Sequence, residues 1–426
     1  MRRGSLYRLL TALYVTQFLG IGFLLVGLVG VLREQGASLD SLGAIQALGL
    51  VWAVKFLWSP IIDRYGGRKS GHYKPWLLVL QTAMVVVILC MIGVSPDPNN
   101  LGAIFGLSAV LVFFSATQDI AADAIAVRLI DVEERGLANG VQGAAGYIGN
   151  LLGGGLTVVV FDQFGWTAAM LLLAGLTATA LVVVATFKEG DAIRHATPST
   201  LGEAYSALRT VWKQPGAARW AFIVQPLLHL GVSVSYALMT PALIDIDWSL
   251  TQVGLVLTLL ASIPAAAGGL LGGWLVSRYG RLVPVLASSV VALCATLALL
   301  PMFAGSRNDT LITIAICVYL TAYSLATSVF YTVNMDYSRV TSAGTDYTIL
   351  NSIGMVFSFV AGGVGLALAE AVGYVAVAIG SAGLLVVGVV AYAAHLPSHR
   401  RFLAHLAEEE SAQNETAATD DLLERS

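Results

Sequence analysis

The sequence predicts an all-α polytopic membrane protein with twelve transmembrane helices in two six-helix halves. Three observations predict it. The 426 residues are 57% hydrophobic and 12% charged, with a mean hydropathy of +0.78, whereas a soluble domain is about one quarter charged. Apolar runs long enough to cross a hydrocarbon layer, roughly 20 residues, recur twelve times. Landmarks of the first six runs return in the last six. Inside lipid, backbone polar groups find no water, so apolar runs of this length are helices.

The runs centre on residues 7–32, 41–62, 75–94, 101–127, 136–161 and 166–187, then on 218–240, 250–277, 283–304, 310–333, 345–369 and 373–394. The first begins Met1-Arg2-Arg3 and is too long for a signal-peptide core, so it reads as an uncleaved anchor. Residues 1–187 form the first bundle, 188–217 a connector, 218–394 the second bundle and 395–426 a tail. With the N-terminus inside, 20 of the 23 Lys and Arg fall on inside segments; Arg33 and Arg307 fall outside and Lys55 lies within the second run. Basic residues stay on the cytoplasmic side, which puts both termini in the cytoplasm.

Arg64-Tyr65-Gly66 after the second run returns as Arg278-Tyr279-Gly280 after the eighth, an offset of 214; Gln142 and Gly153-Gly154 return as Asn351 and Gly362-Gly363, an offset of 209. Two repeats joined by a long inside loop are the build of a rocking carrier with its site between the halves. In the connector, Thr200 and Glu203 read as a capping box. Leu201, Tyr205, Leu208 and Trp212 follow on one face, the pattern of a helix lying in the membrane interface. The acidic tail reads as a solvated, disordered end.

The composition also excludes. With 23 basic against 26 acidic residues there is no footprint for nucleic acid. Cys90, Cys294 and Cys317 all lie in apolar runs, so no disulfide framework is expected. No His-Glu-x-x-His occurs and His229 is the one histidine within a span. No enzyme chemistry, metal site or cofactor is therefore expected.

Ionisable side chains at membrane depth are costly and point to function. Lys55 stands eight residues before Asp63 and Asp119 nine before Arg128. At about 1.5 Å per residue, both lie roughly 12–14 Å from the inner end, and their depths match. Asp123 shares a helix face with Asp119 at i+4. The Lys55–Asp119 pair either pins two spans together or belongs to a proton path. Asp123 either carries the proton, helped by Asp119, or holds Arg128. Polar stripes add candidates for contact with a substrate: Tyr14 and Gln17 in span one; Gln225, His229 and Tyr236 in span seven; Tyr319, Tyr323 and Asn334 in span ten. Lipid-facing helices have no use for such stripes, so spans one, four, seven and ten are expected to line one cavity. The competing account is hydrogen bonding between helices, worth under ~1 kcal/mol on average. Gly140, Gly143, Gly146, Gly149 and Gly153, with Gly268, Gly269, Gly272 and Gly273, read as surfaces of close helix approach.

The loop Asp63-Arg64-Tyr65-Gly66-Gly67-Arg68-Lys69 resembles the signature loop of the major facilitator superfamily, with an extra Gly, and with Ser59 where that pattern has Gly. Lys55-Phe56-Leu57-Trp58-Ser59-Pro60, Ala116-Thr117-Gln118-Asp119-Ile120-Ala121-Ala122-Asp123-Ala124 and Glu134-Arg135-Gly136 look like the branch of muropeptide permeases, acetyl-coenzyme A transporters and rhizobactin- and pyochelin-type siderophore permeases. The resemblance implies the fold of that superfamily, a gating role for Asp63, Arg64 and Arg68, and inward, proton-coupled transport across a bacterial inner membrane. Apart from Lys55, no Lys or Arg lies in a span, and polyanions are normally gripped by such residues. The expected cargo is accordingly a ferric siderophore, carried by a monomer whose other partners are protons and the bilayer. A muropeptide or other metabolite of the same branch is the alternative. From another class, a non-transporting membrane sensor is a further alternative.

Overall fold

The computed structural model describes residues 3–67, 71–189 and 198–424, and all regular structure among them is helical. Ten helices in this set are long and apolar enough to cross a membrane, with Ser41–Leu57 a shorter apolar one. The run Val132–Thr186 is one of the ten, and it turns at Gly165 (φ 80°, ψ 179°), a conformation that suits glycine. That turn divides it into spans five and six. Twelve crossing segments result: span one is Gly4–Glu34, three Lys74–Met91 and four Leu101–Leu129, while seven is Ala217–Asp245, eight Gln252–Tyr279, nine Leu282–Phe303, ten Asp309–Asp336 and eleven Ala343–Val372. Span twelve begins at Tyr374.

Span two is broken. Helical pieces Leu39–Ala47, Val51–Val54 and Ser59–Arg64 are joined by 3-10 turns at Leu48–Leu50 and Lys55–Leu57. Pro60 explains the second break, because proline has no N–H to return to the carbonyl one turn earlier. That carbonyl, on Phe56, instead accepts from Ser59 Oγ at 3.0 Å. The next one, on Leu57, accepts from the Tyr205 hydroxyl of the connector at 3.1 Å. A 3-10 stretch inside a helix often marks a hinge, and Lys55 sits in this one.

Glycine sets the seams. A Cβ at Gly149 or Gly153 of span five would strike the backbone carbonyls of Val15 or Leu19 in span one, so these two helices touch backbone to backbone. Between the halves, a Cβ at Gly136 would stand 2.7 Å from the Gly273 carbonyl, and one at Gly140 2.8 Å from that of Gly269. Spans five and eight therefore meet across the boundary on small residues, as close helix contacts in membranes require.

The connector helix Leu201–Thr210 starts with its Thr200 cap bonded to the Glu203 amide at 3.1 Å, while the Glu203 carboxylate reaches back to Ser199 N at 2.8 Å. Its buried face is Ala204 and Ala207, continued by Val211 in the 3-10 turn that follows, and Leu201 and Tyr205 stay exposed. The tail corrects the sequence reading. Instead of becoming disordered after His395, the last helix continues to Glu424. His395, His399 and Phe402 are buried against Trp220, Tyr337 and Tyr392. The physical reason is spacing: at i, i+4 and i+7 these three side chains form a stripe that packs.

Candidate functional site

The charged residues of the first half meet in one cluster. The Lys55 ammonium donates to the Asp119 carboxylate and lies 3.9 Å from that of Asp123. The Tyr14 hydroxyl donates to Asp123. All four are buried. Asp119 and Asp123 project together because they are one turn apart on span four, and the 3-10 turn of span two presents Lys55 to them. The expected pair exists. Asp123 belongs to the same cluster, whereas Arg128 lies over the Tyr73 ring at 5.0 Å and donates to the Thr341 carbonyl at 3.4 Å. Two carboxylates and one lysine leave a formal charge of −1.

This cluster forms part of the wall of a cavity of about 340 Å³. Its first-half polar wall also holds Gln17, Asn139 and Gln142; its second-half wall holds Thr327, Ser328, Tyr331, Tyr347 and Asn351. Ile21, Leu24, Ile45, Leu48, Trp52 and Phe359 make the opposite end apolar. The cavity is thus amphipathic along its length. Its one cation is already bound to a carboxylate.

Beyond the polar end, contacts between the halves close the molecule. Tyr347 OH donates to Asn139 Oδ1 at 2.9 Å. Asp63 accepts from the Gly344 and Thr345 amides at 3.1 and 2.7 Å, and from Tyr73 OH at 2.7 Å. Those amides begin span eleven, whose own N-cap residue Ser342 makes no side-chain cap bond, so a carboxylate of the first half caps a helix of the second. Negative charge is favoured at a helix N-terminus. Asp336 accepts from Arg135 at 3.2 Å and from Arg281 at 2.8 Å, and Arg281 also donates to the Val132 carbonyl. Of the other loop candidates, Arg64 lies 5.3 Å over the Tyr65 ring, and Arg68 falls outside the described residues.

The same loop is ordered by Glu189. Its carboxylate accepts from the backbone amides of His72 (2.9 Å), Tyr73 (2.9 Å) and Lys74 (2.7 Å), at the start of span three. Burial pushes the Glu189 carboxyl above the usual range, against the downward pull of these amides. Burial likewise lowers the His72 imidazole.

Among the substrate candidates, Tyr14 and Gln17 line the cavity. The other six lie outside its wall, within the second half. Gln225 donates to the Leu350 carbonyl at 3.2 Å, and His229 Nδ1 is 3.1 Å from the Gln225 carbonyl, its ring beside Phe330. Tyr319 donates to the Val232 carbonyl. Asn334 links Trp220 Nε1 to Asn351 Oδ1, both at 2.7 Å. Tyr236 stacks on Tyr323 with ring centroids 5.7 Å apart. Gln225, His229, Tyr319 and Asn334 are buried, so those parts of the stripes turn into the bundle's own interior, whereas Tyr323 is half-buried and Tyr236 is 52% exposed. The sequence reading missed Tyr331, Tyr347 and Asn139 on the wall. Tyr331 was within reach, being two turns beyond Tyr323 on the same stripe.

Comparison with known proteins gives the family. The model of the Major Facilitator Superfamily matches residues 10–243 and 221–418. The chain is 30% identical to the anhydromuropeptide permease of Escherichia coli over 249 residues, which is 57% of this chain and 50% of that protein. It is 26% identical over 304 residues to a Rickettsia prowazekii transporter named AmpG 3, covering 65% of this chain and 72% of the other. The match thus spans only about half the length of the Escherichia coli permease. In structure it is similar to the human organic anion transporter MFSD10, with a TM-score of 0.71 at 15% identity, covering 92% of this chain and all of that one. It is also similar to the Escherichia coli fucose:proton symporter, with a TM-score of 0.66 at 12% identity, covering 91% and 98%. The chain belongs to the major facilitator superfamily.

Proposed function

We propose that this member of the superfamily is a proton-coupled uptake permease of a bacterial inner membrane, with both termini in the cytoplasm, working by alternating access. The observation that carries the proposal is the Lys55–Asp119–Asp123–Tyr14 cluster on the wall of a cavity between the halves. With one lysine serving two carboxylates, a single proton neutralises the cluster, and Asp123 is the carboxylate we assign to receive it. The closed end carries the loops rich in Lys and Arg, so by the charge rule the cavity belongs to an outward-facing state. Proton and cargo would enter from outside, and the contacts of Asp63 and Asp336 would part to release them.

For the cargo, a muropeptide has the better support, because the Escherichia coli relative is named for one. A ferric siderophore is the second reading. It is favoured by a cavity whose lone cation is already bound to Asp119, which suits a weakly charged, ring-bearing molecule better than a polyanion.

The test is uptake into proteoliposomes under an imposed pH gradient, with labelled anhydromuropeptide and a labelled ferric siderophore offered separately. Accumulation of the muropeptide supports the first reading, and accumulation of the siderophore alone transfers the function to the second. In Asp123→Asn, accumulation should collapse while exchange of cargo survives. Accumulation that ignores the gradient in the wild type would remove the coupling.

A further inference from the structure

Lys55 and Tyr14 divide the two carboxylates of the cluster between them. The Lys55 ammonium donates to Asp119 and stays 3.9 Å from Asp123, while the Tyr14 hydroxyl donates to Asp123. Span two thus supplies the partner of one carboxylate and span one that of the other. Two further phenols face Asp123, Tyr331 of span ten and Tyr347 of span eleven, and the second of these donates to Asn139. Among the described residues, Lys55, Asp119 and these three phenols are the titratable groups around Asp123.

The two partners differ in what they can do when a proton arrives. An ammonium has three donors and no acceptor, whereas a phenol both donates and accepts. A carboxylate only accepts, but a carboxylic acid also has an O–H to place. If Asp119 took the proton, its ammonium partner could not receive that O–H, and a buried ion pair would be lost. If Asp123 takes it, the Tyr14 hydroxyl can turn about its C–O bond and accept from the acid. Asp123 is 2% exposed and Tyr14 8%, so water has little access to serve in its place, and a buried polar group left alone is costly. The phenol keeps its own proton throughout; the one that binds comes from solution and returns to it.

We infer that Tyr14 is a positioning residue for the coupling proton, selecting Asp123 over Asp119 as the acceptor and holding it hydrogen-bonded in both charge states. The inference rests on the permease reading and deepens its proton step. A charge-assisted hydrogen bond is roughly twice as strong as a neutral one, so the phenol favours the carboxylate over the acid. Removing it should therefore ease loading.

The test is infrared difference spectroscopy of the purified full chain in detergent during a pH titration. It reads the carbonyl stretch of a protonated carboxyl that Asp123→Asn removes. In Tyr14→Phe, checked for folding by thermal melts, that band should titrate about one pH unit or more higher. It should also move to higher frequency, the mark of an acid without a partner. The wild type gives a second reading that needs no variant at position 14. With ring-deuterated tyrosine as label, a phenol C–O band should shift in step with the carboxyl band, and Asp123→Asn should abolish that shift. An unchanged midpoint and frequency in Tyr14→Phe, or a wild-type phenol band that ignores the titration, overturns the positioning role while Asp123 keeps the proton. If Asp123→Asn leaves the carboxyl band in place, the proton assignment of the permease reading falls together with the inference.

Discussion

On the first half's side the cavity wall carries Lys55, Asp119 and Asp123, with Tyr14 bound to the last. The second half lines the same space with Thr327, Ser328, Tyr331, Tyr347 and Asn351, none of which carries a formal charge. The helices that present these groups differ as well. Span two is broken beside Lys55, whereas span ten runs unbroken as α-helix from Asp309 to Asp336 and span eleven from Ala343 to Val372. The glycine landmarks expected of a repeat recur in both halves of the sequence, but the ionisable cluster is on the first half's wall only. On the cavity wall itself the charge belongs to one half only, so it can be neutralised there without breaking an ion pair to the facing wall; the ion pair between the halves, Arg135–Asp336, lies at the closed end. The division suits a machine in which one half handles the proton and the other moves against it.

The sharpest way to break this contrast is to strand the charges. Lys55→Met leaves Asp119 and Asp123 buried together without a cation, and should destabilise the protein by about 3–5 kcal/mol in denaturant unfolding from detergent micelles. The double variant Lys55→Met/Asp119→Leu should recover most of that. If both unfold alike, the pair is not the asset claimed for the first half.

Next in size is the boundary between the halves. A Cβ at Gly273 would strike the Gly136 carbonyl across it. Gly273→Ala should cost the closed arrangement about 1–3 kcal/mol through overpacking while each half stays folded. Spin-label distances across the basic end should lengthen. Gly153→Ala, whose clash lies inside the first half, should lower the melting temperature instead, and identical behaviour would contradict a boundary that opens.

The polar stripe of span ten yields a smaller effect. Tyr319→Phe removes only the bond to the Val232 carbonyl and should cost about 1 kcal/mol with cargo affinity unchanged. A change in affinity would return Tyr319 to the binding site.

The smallest effect lies at the loop. Because burial raises the Glu189 carboxyl, its contribution to stability is complete below the ordinary glutamate pKa and fades as pH rises through the raised value. The thermal stability of wild type relative to Glu189→Gln should therefore fall slightly between mildly acidic and neutral pH. A difference that grows with pH would mean the amide donors outweigh burial.

Much of the plan is legible in the sequence, for physical reasons that also mark where legibility ends. Twelve apolar runs are dictated by bilayer thickness, and the depths of Lys55 and Asp119 follow from counting residues along helices, so their pairing could be anticipated. Asp63 could be anticipated as part of a gate, but its acceptor role toward Gly344 and Thr345, 281 and 282 positions away, is a matter of tertiary contact. Tyr319, His229 and Asn334 show the ambiguity of a polar stripe. The stripe says that a face is turned from lipid, yet a backbone carbonyl in the same bundle satisfies it as well as a ligand does. Pro60 is the residue from which the break in span two could have been read. That the break would aim Lys55 at two carboxylates depends on span four. His395, His399 and Phe402 carry a helical spacing that the acidic residues after them obscure.

The cap that Asp63 places on span eleven gives the molecule a bias. Under the alternating-access proposal, parting the halves at that end would cost the first amides of span eleven their acceptor and leave Asp63 with Tyr73, so the two poses of the empty carrier would be unequal before any cargo arrives. Like a door hung slightly out of plumb, the unloaded protein would then drift back to the pose described here, and the proposed cycle would need a load to swing it the other way.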